Sequence, residues 1–399
     1  MLPRRAFIAQ TAGLVAATLG CGRGSREVAP EPALFRADCC PRWSPDGKHI
    51  AFLRVYEGGL FDICLTDAHL REVRTIAAHR QALHALWPRS RRSAFFGLQD
   101  IAWHPDGSRI AFSERLQQER PENETRLWLG LRFVRVSDGQ VMPLVEPDAE
   151  EEEAPGQFRS PRWSPRGKRL AFVAEGRGGV CRIGMKAMAD GPPEAHALRF
   201  DAFVDSDLPV WSPTGERLAF RQGILRALTS TPVETIRVLE PGGKEARVLW
   251  RTDPSEYRRS APSGDERVSL QPRVMDLAWS PDGARIAFSV AADAADIRTS
   301  TLWAVRTEES GSAVRISPRD SAGYSAPAWQ DPATVLAARW GDALEAVQIS
   351  PATRSVRRLC RLPSDDFDWS PEKRRVAVGT ARPLIPPLLT TIQVLDLEG

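Results

Sequence analysis

Three absences bound what this 399-residue chain can be. Charge of one sign is missing: 54 lysines and arginines stand against 51 aspartates and glutamates, giving +3 at pH 7. Residues 1 to 20 contain Arg4 and Arg5 and no acid, so without them the charge falls to about +1, and the field that draws proteins to nucleic acid is lacking. Sustained helical periodicity is missing outside the N-terminus, which excludes bundles and α/β architectures. Long hydrophobic runs are missing too. The stretch from Ala6 to Gly20 is softened by Gln10 and Thr11 and falls short of the roughly 20 residues a spanning helix needs.

The side chains that usually carry chemistry are sparse and scattered. The six histidines (His49, His69, His79, His84, His104, His196) form no ligand set. Cys39, Cys40, Cys64, Cys181 and Cys360 are odd in number and lack metal-type spacing. Cys64, Cys181 and Cys360 fall in expected strands and read as core. Cys39-Cys40 has two readings, a vicinal disulfide or two small buried side chains. No catalytic residue, metal ligand or cofactor is assigned.

What the chain does have is a repeat. A ten-residue phrase, Trp-Ser-Pro-Asp-Gly-x-x-Ile-Ala-Phe, begins at Trp43, Trp103, Trp163, Trp211 and Trp279, and in degenerate form at Trp329 and Trp369. Eight positions after each tryptophan stands an alanine: Ala51, Ala111, Ala171, Ala219, Ala287, Ala337, Ala377. Ser-Pro-Asp-Gly is a turn, because proline presets φ and Asp-Gly accepts the tight positions that follow. The Ile-Ala-Phe segments are apolar on both faces, as a strand sandwiched between sheets requires. The small alanine lets a neighbouring sheet approach, and the tryptophan reads as a packing residue. A strand-rich repeat of this period signals a propeller. The expected fold is all-β, a seven-bladed β-propeller of four-stranded antiparallel blades over residues 33 to 399. The seventh blade has three strands of its own, ending with Thr391 to Leu397. Pro32 to Asp38 is expected to supply its fourth, the rival being a three-stranded last blade.

The phrase resembles the repeat of the TolB-family C-terminal propeller, and that of the propeller preceding the catalytic domain in dipeptidyl peptidase IV and prolyl oligopeptidase relatives. The resemblance implies a fold more than a function, because such propellers dock proteins, gate peptidases or act as lyases. The residues before the first tryptophan are too few for the N-terminal domain of TolB-like proteins. The Gly-x-Ser-x-Gly elbow of the peptidases is absent.

Residues 1 to 21 read as an export signal of the twin-arginine type, from Arg4-Arg5-Ala6-Phe7-Ile8 and the apolar stretch that follows. Thr18-Leu19-Gly20-Cys21 resembles a lipobox with Cys21 as the acylated residue, the rival being cleavage to a free periplasmic form. Residues 22 to 32 read as a tether. The expectation is an exported envelope protein, periplasmic or on the outer surface, touching membrane only through its N-terminal anchor and taken as a monomer.

Loop lengths divide the expected propeller into two rims. One carries tight turns. The other receives Ala77 to Gln99, Glu114 to Thr125, Glu146 to Phe158, Arg251 to Arg273, Ala291 to Ser300 and Thr380 to Leu389, and long irregular loops concentrate function. Trp87, Arg89, Arg91, Arg92, Phe95 and Phe96 combine aromatics with arginines as interface hot spots do, and Tyr257, Arg258 and Arg259 repeat the theme. The bland alternative tucks these aromatics into the groove between blades one and two. Asp46, Asp106 and Asp282 read as turn caps rather than calcium ligands, the acidic run Glu146 to Glu153 as a solvated loop, and His49 and His104 as surface variation. The reading is a non-catalytic scaffold for a protein partner or ligand. The alternatives are an enzyme whose site assembles at the channel mouth, and a purely structural envelope component.

Overall fold

The computed structural model describes residues 35–56, 60–81, 101–119, 125–145, 157–176, 181–188, 204–224, 233–240, 243, 245–252, 272–292, 296–379 and 391–397, within one compact unit, Leu34–Gly399. Among them there is no α-helix, and the strands fall into seven tryptophan-led groups. The first is β1 (Phe35–Trp43), β2 (His49–Tyr56), β3 (Leu60–Asp67) and β4 (Val73–Gln81). The second is β5 (Ile101–Trp103), β6 (Arg109–Glu119), β7 (Thr125–Arg135) and β8 (Val141–Val145). The third shows β9 (Gln157–Trp163), β10 (Arg169–Glu175) and β11 (Cys181–Ala187). The fourth is β12 (Val204–Trp211), β13 (Leu218–Ile224), β14 (Val233–Leu239) and β15 (Arg247–Arg251). The fifth is β16 (Arg273–Trp279), β17 (Arg285–Ala291), β18 (Thr301–Arg306) and β19 (Ala313–Arg315). The sixth is β20 (Gly323–Asp331), β21 (Thr334–Trp340), β22 (Leu344–Ile349) and β23 (Val356–Arg361). The seventh shows β24 (Phe367–Trp369), β25 (Arg375–Gly379) and β26 (Ile392–Asp396). Each is an antiparallel meander, and a single parallel pair, Leu129↔Gln157, joins the second to the third.

The turn phrase works as its chemistry dictates. Gly47 takes φ +68°, and Ser44 Oγ accepts the N–H of His49, so side chain and backbone together reverse the chain. Ser164, Ser212, Ser280 and Ser370 accept likewise from Arg169, Arg217, Arg285 and Arg375. Asp46 Oδ1 accepts the Ser44 hydroxyl and the Lys48 N–H, and Asp282 repeats this with Ser280 and Ala284. Those hydroxyl bonds hold both carboxyls below their ordinary pKa. They cap turns.

Adjacent groups are fastened by the repeat itself. All seven alanines are fully buried. Ala377 packs in one cluster with Trp43 of the first group, and Ala111, Ala171, Ala219 and Ala287 do so with Trp163, Trp211, Trp279 and Trp329. Each indole N–H reaches back to a carbonyl of the preceding group: Trp103 to Arg42, Trp211 to Arg162, Trp279 to Val210, Trp329 to Ala278, Trp369 to Ala326, at 3.0 to 3.1 Å. Trp43 completes the circuit by donating to Asp368 of the seventh group at 3.2 Å. Trp163 departs from the rule: its Nε1 is buried without a partner among the described residues, and its ring meets His104 edge-on at 4.7 Å. His104 is therefore an interface residue, correcting its reading as surface variation, whereas His49 is exposed. Arginines six positions after a tryptophan reach forward. Arg217, Arg285 and Arg375 stack over Trp279, Trp329 and Trp43 at 5.1, 4.7 and 4.7 Å.

Three positions before the tryptophan the inner strands bulge. Cys40, Ser160, Leu208 and Ala326 adopt φ of 51 to 55°, each followed by proline, and the pairing register shifts there. The fifth and seventh groups hold aspartate instead, and each clips the bulge of the next group. Asp276 Oδ2 accepts the Ala326 N–H at 2.9 Å, and Asp366 Oδ2 accepts that of Cys40 at 2.8 Å.

Two further expectations need correction. Phe35 to Asp38 do not form a fourth strand of the last sheet; they extend β1, with Phe35 opposite Tyr56 and Asp38 opposite Arg54. The bulge at Cys40 and Pro41 lets one strand continue where the sequence suggested two elements. Among the described residues the last sheet has three strands, and the ring closes by side-chain bonds across the seam. The stretch from Glu114 to Thr125 is mostly strand rather than loop, because β6 and β7 pair in continuous register out to Glu119↔Thr125.

Candidate functional site

Strand direction defines the two rims. Starts of first and third strands and ends of second and fourth strands lie together, opposite the tight turns. At that rim the buried charges gather. Arg221, on β13, is 3% exposed and lies between Glu234 at the start of β14 and Asp207 on β12, with contacts of 2.5 and 2.9 Å. Arg273 of β16 reaches Asp207 from the next group at 3.3 Å, and Glu234 Oε2 also accepts the Val274 N–H. Thr252, directly after β15, exchanges bonds with Glu234. A second cluster joins the first two groups: Arg80, near the end of β4, meets Glu114 of β6 at 2.5 Å, and Arg132 stands 3.8 Å away. Asp38 holds Arg54, and Asp62 holds the Tyr56 hydroxyl. On the opposite rim several pairs are local and exposed, such as Arg135 with Asp138 and Arg306 with Glu309.

Such buried pairs are poor evidence of net stability, since desolvation offsets their attraction, but they fix geometry. Here they fix the roots of loops. Thr252 and Arg273 flank segment 253–271, which lies outside the described residues. Arg80 and Gln81 directly precede segment 82–100, which also lies outside the described residues. Asp207 Oδ1 and Glu114 Oε2 are both buried without a hydrogen bond among the described residues, so each cluster keeps an acceptor beside a loop root.

A third group lines an open cavity of about 430 Å³ on the sixth sheet. Tyr324, fully buried, donates its hydroxyl to Asp320 at 2.8 Å, and Arg339 and Arg358 both meet Glu345 at 3.1 Å. Burial first, then the bond to Asp320, pushes the Tyr324 pKa up to about 12.

The residues singled out for binding lie outside the described residues: Trp87, Arg89, Arg91, Arg92, Phe95, Phe96, Tyr257, Arg258 and Arg259. So do Arg4, Arg5, Cys21, the acidic run, His84 and His196. Cys64 and Cys181 are buried and Cys360 is half-buried. Cys39 and Cys40 are both buried thiols, and their bond to each other, then burial, raises the Cys39 pKa well above the usual thiol range. The sequence did not reveal that Asp366 joins them, because 326 positions separate it from Cys40.

No family model matches the chain, and no curated protein matches it in sequence. Solved structures do match. The β-propeller domain of the trilobed protease from Pyrococcus furiosus, described as having an open velcro topology, aligns at TM-score 0.54 and 11% identity over 86% of this chain and 90% of its own. A prolyl endopeptidase aligns at TM-score 0.52 and 15% identity over 86% of this chain, which spans 46% of the endopeptidase. TolB from Acinetobacter baumannii aligns at TM-score 0.42 and 15% identity, over 84% of this chain and 64% of its own. The first two show the fold, a β-propeller.

Proposed function

We propose that this propeller is an exported docking scaffold of the cell envelope, binding a protein partner through its long-loop rim. The observation that carries the reading is the placing of the two loop roots. Arg80, just before the segment bearing Trp87 to Phe96, and Thr252 and Arg273, on either side of the segment bearing Tyr257 to Arg259, belong to buried arginine–carboxylate clusters. A binding loop on a rigid base loses less entropy on docking, and aromatics beside arginines supply contact area and bidentate hydrogen bonds. Among the described residues the opposite rim carries tight turns. Export rests on Arg4-Arg5, and attachment to the membrane on Cys21, whose stable anchoring requires more than one acyl chain.

Truncating Trp87, Arg91 and Arg92 to alanine, with crosslinking capture from membranes as the readout, is expected to lower partner recovery at least tenfold with little change in thermal stability. Asp46→Ala and Asp106→Ala, on the tight-turn rim, are expected to leave capture intact. Unfolding of the loop variant places those aromatics in the core. Loss of capture in the turn variants moves the site to the other face. Arg4→Lys with Arg5→Lys is expected to retain the protein in the cytoplasm, and Cys21→Ala to release it from membranes.

A further inference from the structure

We propose that Cys39, Cys40 and Asp366 form a binding site for a thiophilic divalent cation of the Zn²⁺ type, seated in the seam between the first and seventh groups. Both sulfurs and a carboxylate oxygen lie within 4.8 Å of one another. Tetrahedral Zn²⁺ holds such donors roughly 3.3 to 3.8 Å apart, so a closing movement of about 1.5 Å at most assembles the site.

Neighbouring residues of a strand normally point to opposite faces. Cys40 breaks that alternation with φ 54°, and both thiols enter the same buried cluster. The carboxylate is held as a ligand should be. Asp366 Oδ2 accepts the Cys40 N–H, the Asp366 carbonyl accepts the Gly379 N–H at 2.7 Å, and the Asp366 N–H donates to Ser364 Oγ. Glycine at 379 is what admits it, since a Cβ there would stand 2.5 Å from Oδ2.

The fifth group shows what the repeat builds ordinarily. There Asp276 receives the Ser289 hydroxyl at 2.7 Å and the Ala326 N–H, and the residue before Ala326 is Ser325. In the seventh group Gly379 stands in the place of Ser289, and across the seam Cys39-Cys40 replaces Ser325-Ala326. Changes on both sides of one seam convert a hydrogen-bonded clip into a set of two soft donors and one hard donor. Such a set suits a d¹⁰ cation better than Mg²⁺ or Ca²⁺, with water as the fourth ligand. Binding displaces two thiol protons. The ion would staple β1 to the last sheet, where the ring closes without a shared strand among the described residues. The site is independent of partner docking.

The test uses the full chain, purified reduced. One equivalent of Co²⁺ is expected to give a thiolate-to-cobalt charge-transfer band with tetrahedral visible bands, both displaced by Zn²⁺. Zn²⁺ is expected to raise the unfolding midpoint by several degrees. Cys39→Ser and Cys40→Ser should each lose the band and the shift, and Asp366→Asn should weaken binding at least tenfold. Reduced, folded wild type with neither band nor shift overturns the proposal, whatever the variants do. So does a Zn²⁺ shift that survives in both cysteine variants, or oxidation to a Cys39–Cys40 disulfide in preference to Zn²⁺ under the same reducing conditions.

Discussion

Asp38 and Thr391, 353 positions apart, satisfy each other's backbone: the Asp38 N–H donates to Thr391 Oγ1 at 3.1 Å, and the Thr391 N–H donates to Asp38 Oδ2 at 2.9 Å. The same carboxylate takes the guanidinium of Arg54. Asp38→Ala strands a buried amide and leaves Arg54 without its counter-charge. Denaturant unfolding is expected to show a loss of about 3 kcal/mol, against about 1 kcal/mol for Thr391→Val. Equal losses in the two variants would mean that the ion pair adds nothing to the seam.

Trp279 is held twice, by the Val210 carbonyl behind it and by Arg217 above it. Trp279→Phe is expected to cost about 2 kcal/mol, from the orphaned carbonyl and the lost ring volume. Arg217→Met should cost about 0.5 to 1 kcal/mol. Combined, the two should fall short of additivity, because phenylalanine already weakens the stack. Thermal melts of the cycle decide it.

Arg221 bridges Glu234 and Asp207, whose other bonds reach Thr252 and Arg273. Arg221→Ala leaves two buried carboxylates facing each other and is expected to cost about 3 to 5 kcal/mol. Arg221→Met with Glu234→Gln and Asp207→Asn removes the charges together and should recover most of that loss. A triple variant as unstable as the single one would show that packing, not charge, sets the cost.

The alkaline limb of stability should carry the mark of Tyr324. Its pKa rises from the usual 10 to about 12 in the fold, by burial and by the bond to Asp320. The native state then holds more protons than the unfolded chain between these values, so its contribution is complete below pH 10 and lost as pH rises through about 12. Tyr324→Phe is expected to flatten the decline in stability over that window, measured by urea unfolding from about pH 9 to about pH 12.

Much of this was legible because the chain repeats itself. Turn serine, turn glycine, alanine and tryptophan recur often enough for one sequence to serve as its own alignment. The forward-reaching arginines were legible too, yet His49 at one of those positions and His104 at the turn-serine position drew attention to variation instead. The alternation of aspartate with a residue-plus-proline bulge, Asp276 and Asp366 against Cys40-Pro41 and Ala326-Pro327, stood in the sequence upstream of the phrase. The pairings across the seam did not. Asp38 with Thr391 and Cys40 with Asp366 depend on where a ring returns to its start, which no local pattern encodes. The extension of β1 was missed for a related reason: a bulge reads as a boundary until the backbone shows the strand running through it.

The joints that the repeat builds have a direction: six of the seven indoles point back, and three guanidiniums point ahead. A ring of joints directed alike has a sense of rotation, with Trp163 and the Asp38–Thr391 seam as its local departures. Duplicating one group in the gene would give each new neighbour a joint already encoded at both its faces. Ring size is then set by the wedge angle that each sheet subtends, not by joint chemistry. Growth or shrinkage by whole groups is therefore an evolutionary step open to this scaffold without inventing a single new contact.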